Sequence, residues 1–212
     1  MRIINVMAVS LDGMSARYPG ETDTERHAYG FGSLVDFDFL EKTIQTSDAV
    51  IVGKGSVEKN GLIDTKSEDG AYPDWFVFTN SGFPEDHNAI KNKVPVTLVS
   101  RKILPAHNYF HGADKIIFGD GNPVQTLIDE LQRKGKKTVL LLGGGTLNQL
   151  FYKERRVDEL FLTLCPVILA GNNSVDFVKP SLPEPVQLVL KSSKVDGNLV
   201  FLKYRVQNQD SI

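Results

Sequence analysis

Short apolar runs along this chain alternate with stretches whose apolar positions step by three and four. Residues 2–9 (RIINVMAV) predict an opening strand, closed by the Asp12-Gly13 turn signal. Residues 14–33 are polar and contain Pro19, Gly20, Gly30 and Gly32, which predicts a long mobile loop of the kind that is functional or disordered. From Leu34 to about Thr46 the positions Leu34, Phe37, Leu40 and Ile44 follow the helical repeat. Ala49-Val50-Ile51-Val52 is an all-apolar strand ending at Gly53. Strands follow at Trp75–Phe78, Val94–Val99 and Lys115–Phe118. A helix over about 123–134 puts Val124, Leu127, Ile128 and Leu131 on one face, with Pro123 in its first turn. Thr138–Leu142 is a strand ending at Gly143-Gly144-Gly145, before a helix (147–154) and a strand (158–165).

Continuous apolar strands alternating with helices predict an α/β fold, a mostly parallel sheet covered on both faces. The end of the chain differs. Residues 170–185 read as a Gly/Asn/Pro-rich loop, and Val186–Leu190 and Leu199–Tyr204 flank the hairpin signal Asp196-Gly197. An antiparallel hairpin at one sheet edge is expected, and no repeat or linker divides residues 1–212, so one domain is expected.

Composition narrows the function classes. At 212 residues the chain can bury roughly 70% of its unfolded surface without a disulfide or metal staple. With 24 basic against 26 acidic residues, it has neither the basic excess of a broad nucleic-acid footprint nor a polybasic membrane anchor. The single cysteine, Cys165, cannot form an internal disulfide and fits a reducing cytoplasm. It precedes Pro166 in an apolar run and reads as a buried hydrophobe. The N-terminus is a poor signal peptide, and no apolar stretch approaches the ~18 residues of a membrane span. Trp75 and the phenylalanines fall on strand patterns and read as core. His107 and His111 are bracketed by Pro105 and Gly112, which excludes a helical metal pair, and no metal ligand set is expected.

The candidate chemistry lies where strands run out into glycine. Gly143-Gly144-Gly145-Thr146 stands between a buried strand and a helix, where free backbone N–H groups and the positive helix end meet the crevice at the strand carboxyl ends. Such a run either cradles a phosphate or makes a sharp turn that needs positive φ. It is not the G-x-G-x-x-G fingerprint, because Asn148 stands at the third glycine. Gly53-Lys54-Gly55-Ser56 is a fragment of a P-loop without its spacing; Lys54 there either grips a phosphate or is solvated. Asp12 reads as turn chemistry. No nucleophile elbow is present.

The segments MAVSLDG, DAVIVGKGSV and VLLLGGGTLNQLFYKERRVDELFLTLCPVILAGNNSVDF stand in this order along the chain. Together they resemble the dihydrofolate reductase-like superfamily, and within it the riboflavin-biosynthesis reductase (RibD C-terminal) domain family. The resemblance covers essentially the whole chain, and the last segment is its most specific part. It implies an NADPH-dependent reductase, commonly a homodimer, with the cofactor across the carboxyl ends of the sheet. Ala8 would lie against the nicotinamide, and the stretch from Asp12 to Ser15 would begin the loop over the site. Gly53, Lys54, Ser56 and Val57 would face phosphates and ribose, with Lys54 a candidate for the adenosine 2′-phosphate. Thr79, Asn80 and Ser81 would sit near the adenosine end, with Ser100 and Arg101 competing. Gly143, Gly144, Gly145, Thr146 and Leu147 would cradle the pyrophosphate.

On the substrate side, riboflavin reductases usually carry an acidic residue where this chain has Leu142, so the pocket floor is more apolar here. Asp12, Arg17, Arg26, His27 and Asn60 are the polar candidates for substrate contact. In dihydrofolate reductase an acid on the first helix holds the pterin ring, and Asp36 or Asp38 lies near that place. The reaction implied is hydride transfer to a C=N or C=O carbon of a pyrimidine or pterin, with Asp36 or Asp38 as the substrate-orienting or proton-relaying acid. A non-catalytic NADP(H)- or nucleotide-binding protein on the same fold is the alternative. A phosphate-binding transferase, resting on Lys54 and the glycines, is a third.

Overall fold

The computed structural model describes residues 1–83, 94–105 and 113–207. His107 and His111 lie outside these residues. In chain order the elements are β1 (Arg2–Val9), β2 (Met14–Ala16), α1 (Asp23–His27), α2 (Leu34–Gln45), β3 (Ala49–Gly53), α3 (Lys54–Asn60), β4 (Asp74–Phe78), β5 (Val96–Ser100), β6 (Asp114–Ile117), α4 (Pro123–Arg133), β7 (Thr138–Leu141), α5 (Gly145–Lys153), β8 (Glu159–Leu164), β9 (Val175–Asp176), β10 (Gln187–Asp196) and β11 (Leu199–Gln207).

Nine strands form one sheet in the order β10-β11-β8-β1-β7-β3-β4-β5-β6. All pairs from β8 to β6 are parallel, and β11 and β10 are antiparallel, so the predicted edge hairpin is present. The chain moves outward from β3 to β6, returns to the middle for β7, and crosses β1 to β8. The exits of β1, β7 and β3 therefore stand side by side.

The period-2 alternation of the strands sorts their side chains between two helical layers. Ile3, Ile51, Phe76, Val139 and Leu141 pack with Val124, Leu127 and Leu131 of α4 and Leu147 and Phe151 of α5. Ile4, Val6, Val50, Val52, Trp75, Val77 and Leu140 pack with Ile44 of α2 and Val57 of α3. Asn5 faces the α5 layer without weakening it. Its Nδ2 donates to the Leu141 carbonyl (2.8 Å) and to Asn148 Oδ1 (3.1 Å), and Tyr152 Oη donates to Asn5 Oδ1 (3.2 Å). A buried amide with every partner in place ties β1 to α5.

The structure departs from the sequence pattern in five places. Leu34 is 83% exposed, and α2 instead buries Thr43 and Ile44, with Phe39 and Leu40 packed against the core. Its first turn lies at the end of β8, where the sheet runs out. Residues 14–33 hold β2 and α1 rather than a mobile loop. Thr22 and Glu25 form a capping box on α1. The buried Glu21 carboxylate accepts from Arg17 and from Tyr29 Oη (3.0 Å), with the Arg17 guanidinium 4.3 Å from the Tyr29 ring centroid. Polar composition hid this because each charge is satisfied within the arm. The 170–185 stretch contains β9, which pairs with β2. The Gly53 exit turns directly into the short helix α3, and β10 runs to Asp196.

Candidate active site

The exits of β3 and β7 meet closely: a Cβ on Gly53 would stand 3.8 Å from the Gly143 carbonyl oxygen. Gly53 caps α3 and Gly144 caps α5, neither with a side-chain hydrogen bond. The first N–H groups of α5 thus have no side-chain acceptor, which favours an anion there. The three glycines of the run have three different reasons. Gly143 has φ +69°, and a Cβ on it would collide with Met7 Sδ. A Cβ on Gly145 would lie 2.5 Å from the Asp176 carbonyl, and Lys179 N donates to the Gly145 carbonyl (3.1 Å), so the strand β9 segment crosses there. Only Gly144 opens to free space. The run serves packing at two positions and leaves one facing the crevice. Thr146 is exposed on the first turn of α5, whereas Leu147 and Val57 point into the core. Their side chains are packing residues, and only their backbone can face a ligand.

Lys54 is not a free point charge. Its Nζ donates to Ser81 Oγ (2.6 Å), pairs with Glu58 (3.0 Å) and lies 5.7 Å from the Phe83 ring centroid. This joins the exits of β3 and β4. Ser56 and Gly55 are exposed beside it. The buried Thr79 hydroxyl accepts from Ser81 N (3.3 Å) and Gly82 N (2.9 Å), so it shapes the turn after β4. Asn80 Oδ1 accepts from Arg101 N (3.4 Å). Arg101 itself is exposed and paired with Asp120.

Across β1 the chemistry is acidic. In the register of β1 and β8, Ala8 lies opposite Thr163. The buried Thr163 hydroxyl donates to the Asp36 carboxylate, and burial pushes the Asp36 carboxyl above its ordinary range. Ser33 caps α2 through Val35 N and Asp36 N, which fixes the turn that carries this acid. Asp38 points away from Thr163, exposed and paired with Lys42 (2.6 Å). Leu142 is half-buried against the α2–α3 core. Carboxylate, hydroxyl and the Ala8 surface converge at the exits of β1 and β8, one strand from the glycine turn.

Other expected residues are engaged elsewhere. Asp12 accepts from Leu169 N (3.0 Å) and Ala170 N (2.9 Å), which with Ser10 lowers its pKa to about 2. With its local bond to Ser10 it keeps the turn after β1, and it also clamps that turn to the distant 169–170 segment. Ser15 Oγ donates to the Val175 carbonyl (3.1 Å), joining β2 to β9. Asn60 Oδ1 accepts from Asp23 N (3.1 Å), tying α3 to α1. Cys165 is buried, accepts from Gly32 N (3.3 Å), and burial pushes its thiol up to about 11.

Sequence reasoning missed Thr163 and the Asn5–Asn148–Tyr152 network. The available signal was a hydrogen-bonding side chain at a core position of an apolar strand, which costs free energy unless paired. A hollow of about 250 Å³ lined by Tyr152, Val157, Leu182 and Val206 lies at the opposite end of α5 from the glycine turn. Among the described residues no group of three metal-ligating side chains occurs, and no helix is long and apolar enough to cross a membrane.

Comparison with known proteins supports the same architecture. The chain is 27% identical to a 2,5-diamino-6-ribosylamino-4(3H)-pyrimidinone 5′-phosphate reductase of Aquifex aeolicus, over 98% of this chain and 97% of that one. It superposes on a pyrimidine reductase-like protein from Corynebacterium diphtheriae with TM-score 0.76 at 19% identity, covering 98% of this chain and 92% of the other. It superposes on Acinetobacter baumannii RibD with TM-score 0.77 at 19% identity, covering 98% of this chain but 58% of that longer one. The sequence profile of the RibD C-terminal domain matches residues 2–202, so the chain belongs to the RibD C-terminal domain family.

Proposed function

We propose that this protein is an NADPH-dependent reductase acting on a C=N or C=O carbon of a small pyrimidine or pterin. The family membership, and relatives in Aquifex aeolicus and Archaeoglobus fulgidus that are named pyrimidinone phosphate reductases, support an oxidoreductase of this class. The single observation that carries the reading is the placement of Asp36 on Thr163, beside Ala8 and one strand from the open Gly144. A reductase needs those two halves together: an anion-binding helix end, and a proton-bearing group where the substrate ring would lie.

The residues present fit the cofactor. Gly144 leaves the α5 N-terminus open to the pyrophosphate, with Gly53, Gly55 and Thr146 around it. Lys54 and Ser81 form the polar pair for the 2′-phosphate, with Ser56 and Asn80 exposed at its sides. When bound, the nicotinamide supplies hydride. Asp36 orients the heterocycle by accepting from its N–H groups, and its raised pKa lets it hold a proton closer to neutral pH. Leu142 and Ala8 give an apolar floor that excludes water. The family profile over 2–202 supports one domain for the chain, and a homodimer in the cytoplasm follows the same family reading.

The test is a fluorescence titration with NADPH and NADH, followed by Trp75 emission, and then NADPH oxidation with the relatives' pyrimidinone phosphate and with pterins. Saturable NADPH binding, weaker NADH binding and turnover of one such ring are expected. NADPH binding without turnover of any of them selects the non-catalytic alternative. Absence of binding refutes the cofactor half.

A further inference from the structure

Reduction of a C=N or C=O carbon leaves a nitrogen or oxygen that must gain a proton, and Asp36 is half-buried beside the site. The surroundings of Asp36 offer one route. A side chain at Gly32 would stand 3.5 Å from Asp36 Oδ2 and 3.5 Å from His27 Nε2. The carboxylate oxygen and the imidazole nitrogen therefore flank one small space, kept open because residue 32 is a glycine with φ +70°. His27 ends α1 and is exposed to solvent.

The other groups facing Asp36 are engaged or inert. On α1, Arg26 is paired with Asp23, donates to the Ser15 carbonyl (3.3 Å) and lies 5.8 Å from the Phe31 ring centroid. From β8, Thr163 donates its hydroxyl to Asp36. Cys165, just beyond β8, has its thiol pushed up to about 11 and bonded to Gly32 N. His27 alone of this set is a solvent-facing imidazole, a group able both to take up and to release a proton.

We propose that His27 is the proton entry to Asp36: it takes a proton from solvent and passes it, through a water molecule beside Gly32, to the carboxylate. The proposal rests on the reductase reading above. In each turnover one proton leaves bulk water, passes from the imidazolium to the Asp36 carboxylate and ends on the substrate nitrogen or oxygen. The hydride of NADPH forms the C–H bond, and the nicotinamide leaves oxidised. Imidazole and carboxylate return to their starting states. His27 touches no substrate and acts only through Asp36.

The experiment compares wild type, His27→Gln and Asp36→Asn. For His27→Gln, kcat falls about tenfold or more with KM little changed, and added imidazole restores the rate saturably. In ligand-free protein carrying 13C-labelled aspartate, the Asp36 midpoint moves up in His27→Gln, because a cationic neighbour is lost. Asp36→Asn also loses turnover, and imidazole does not restore it. Unchanged kcat in His27→Gln, a loss that imidazole leaves untouched, or an unmoved Asp36 midpoint overturns the relay. Inactive Asp36→Asn beside fully active His27→Gln overturns the relay alone. Wild-type turnover in Asp36→Asn overturns the reading of Asp36 and the relay with it.

Discussion

Gly144→Asp separates fold from function at one atom. A Cβ at Gly144 meets nothing within 4 Å, and the position caps α5 without a side-chain bond. An aspartate there supplies the missing N-cap acceptor, which is worth up to a few tenths of a kcal/mol over glycine. Because Gly144 has φ −6°, the turn must also relax to accept a side chain, which offsets the cap, so stability should fall by no more than about 1–2 kcal/mol. Binding should also weaken. A carboxylate about 4 Å from one charge of a pyrophosphate costs about 4 kcal/mol at an effective dielectric of about 20. Salt screening at the crevice mouth reduces this to about 2 kcal/mol, or about thirtyfold in Kd. Gly144→Ser, which caps without charge, should keep most of the affinity. The controls on either side should fail differently. At Gly143→Ala the positive φ costs about 1–2 kcal/mol, and the collision with Met7 adds about 1–3 kcal/mol, so the melting midpoint falls. The assays are NADPH titration by Trp75 fluorescence and urea unfolding. A folded Gly144→Asp protein with unchanged NADPH affinity refutes the anion site. A stability loss in Gly144→Asp as large as in Gly143→Ala refutes the open geometry.

Lys54→Ala should weaken NADPH more than NADH in parallel titrations; equal losses would move the 2′-phosphate contact to another group, Arg101 first. Asp36→Asn should lower kcat roughly a hundredfold while leaving neutral-pH stability equal or higher. The sign follows from the raised folded-state pKa of Asp36: its contribution is fully present below the unfolded value and lost as pH rises through the folded one. Urea midpoints of the variant and wild type should thus converge in acid; a variant clearly weaker at neutral pH would contradict this. Asn148→Leu leaves the Phe177 carbonyl and one Asn5 donor bond unpaired in the interior, costing about 2–4 kcal/mol by chemical denaturation. A loss under 1 kcal/mol would mean the network is not structural.

Much of the architecture was legible because apolar period sets which strands are buried on both faces. β1, β3, β4, β7, β8, α4 and the edge hairpin stand near where the pattern put them, and glycine marked the strand exits that gather at one side of the sheet. The sequence could not show what each glycine was for. Gly143 answers to Met7 and Gly145 to the Asp176 carbonyl, contacts between segments far apart in sequence that exist only once the chain has folded. Asp36 and Asp38, two residues apart on α2, were equivalent as letters. Helical geometry turns one toward Thr163 and the other toward Lys42 and solvent, and burial then separates their acidities. The arm at 14–33 looked mobile because polar composition does not reveal pairing, and Glu21 is buried only because Arg17 and Tyr29 close around it. Local pattern reports hydrophobic periodicity and backbone permissiveness. Which polar groups meet, and so which acid can hold a proton, is decided by long-range packing.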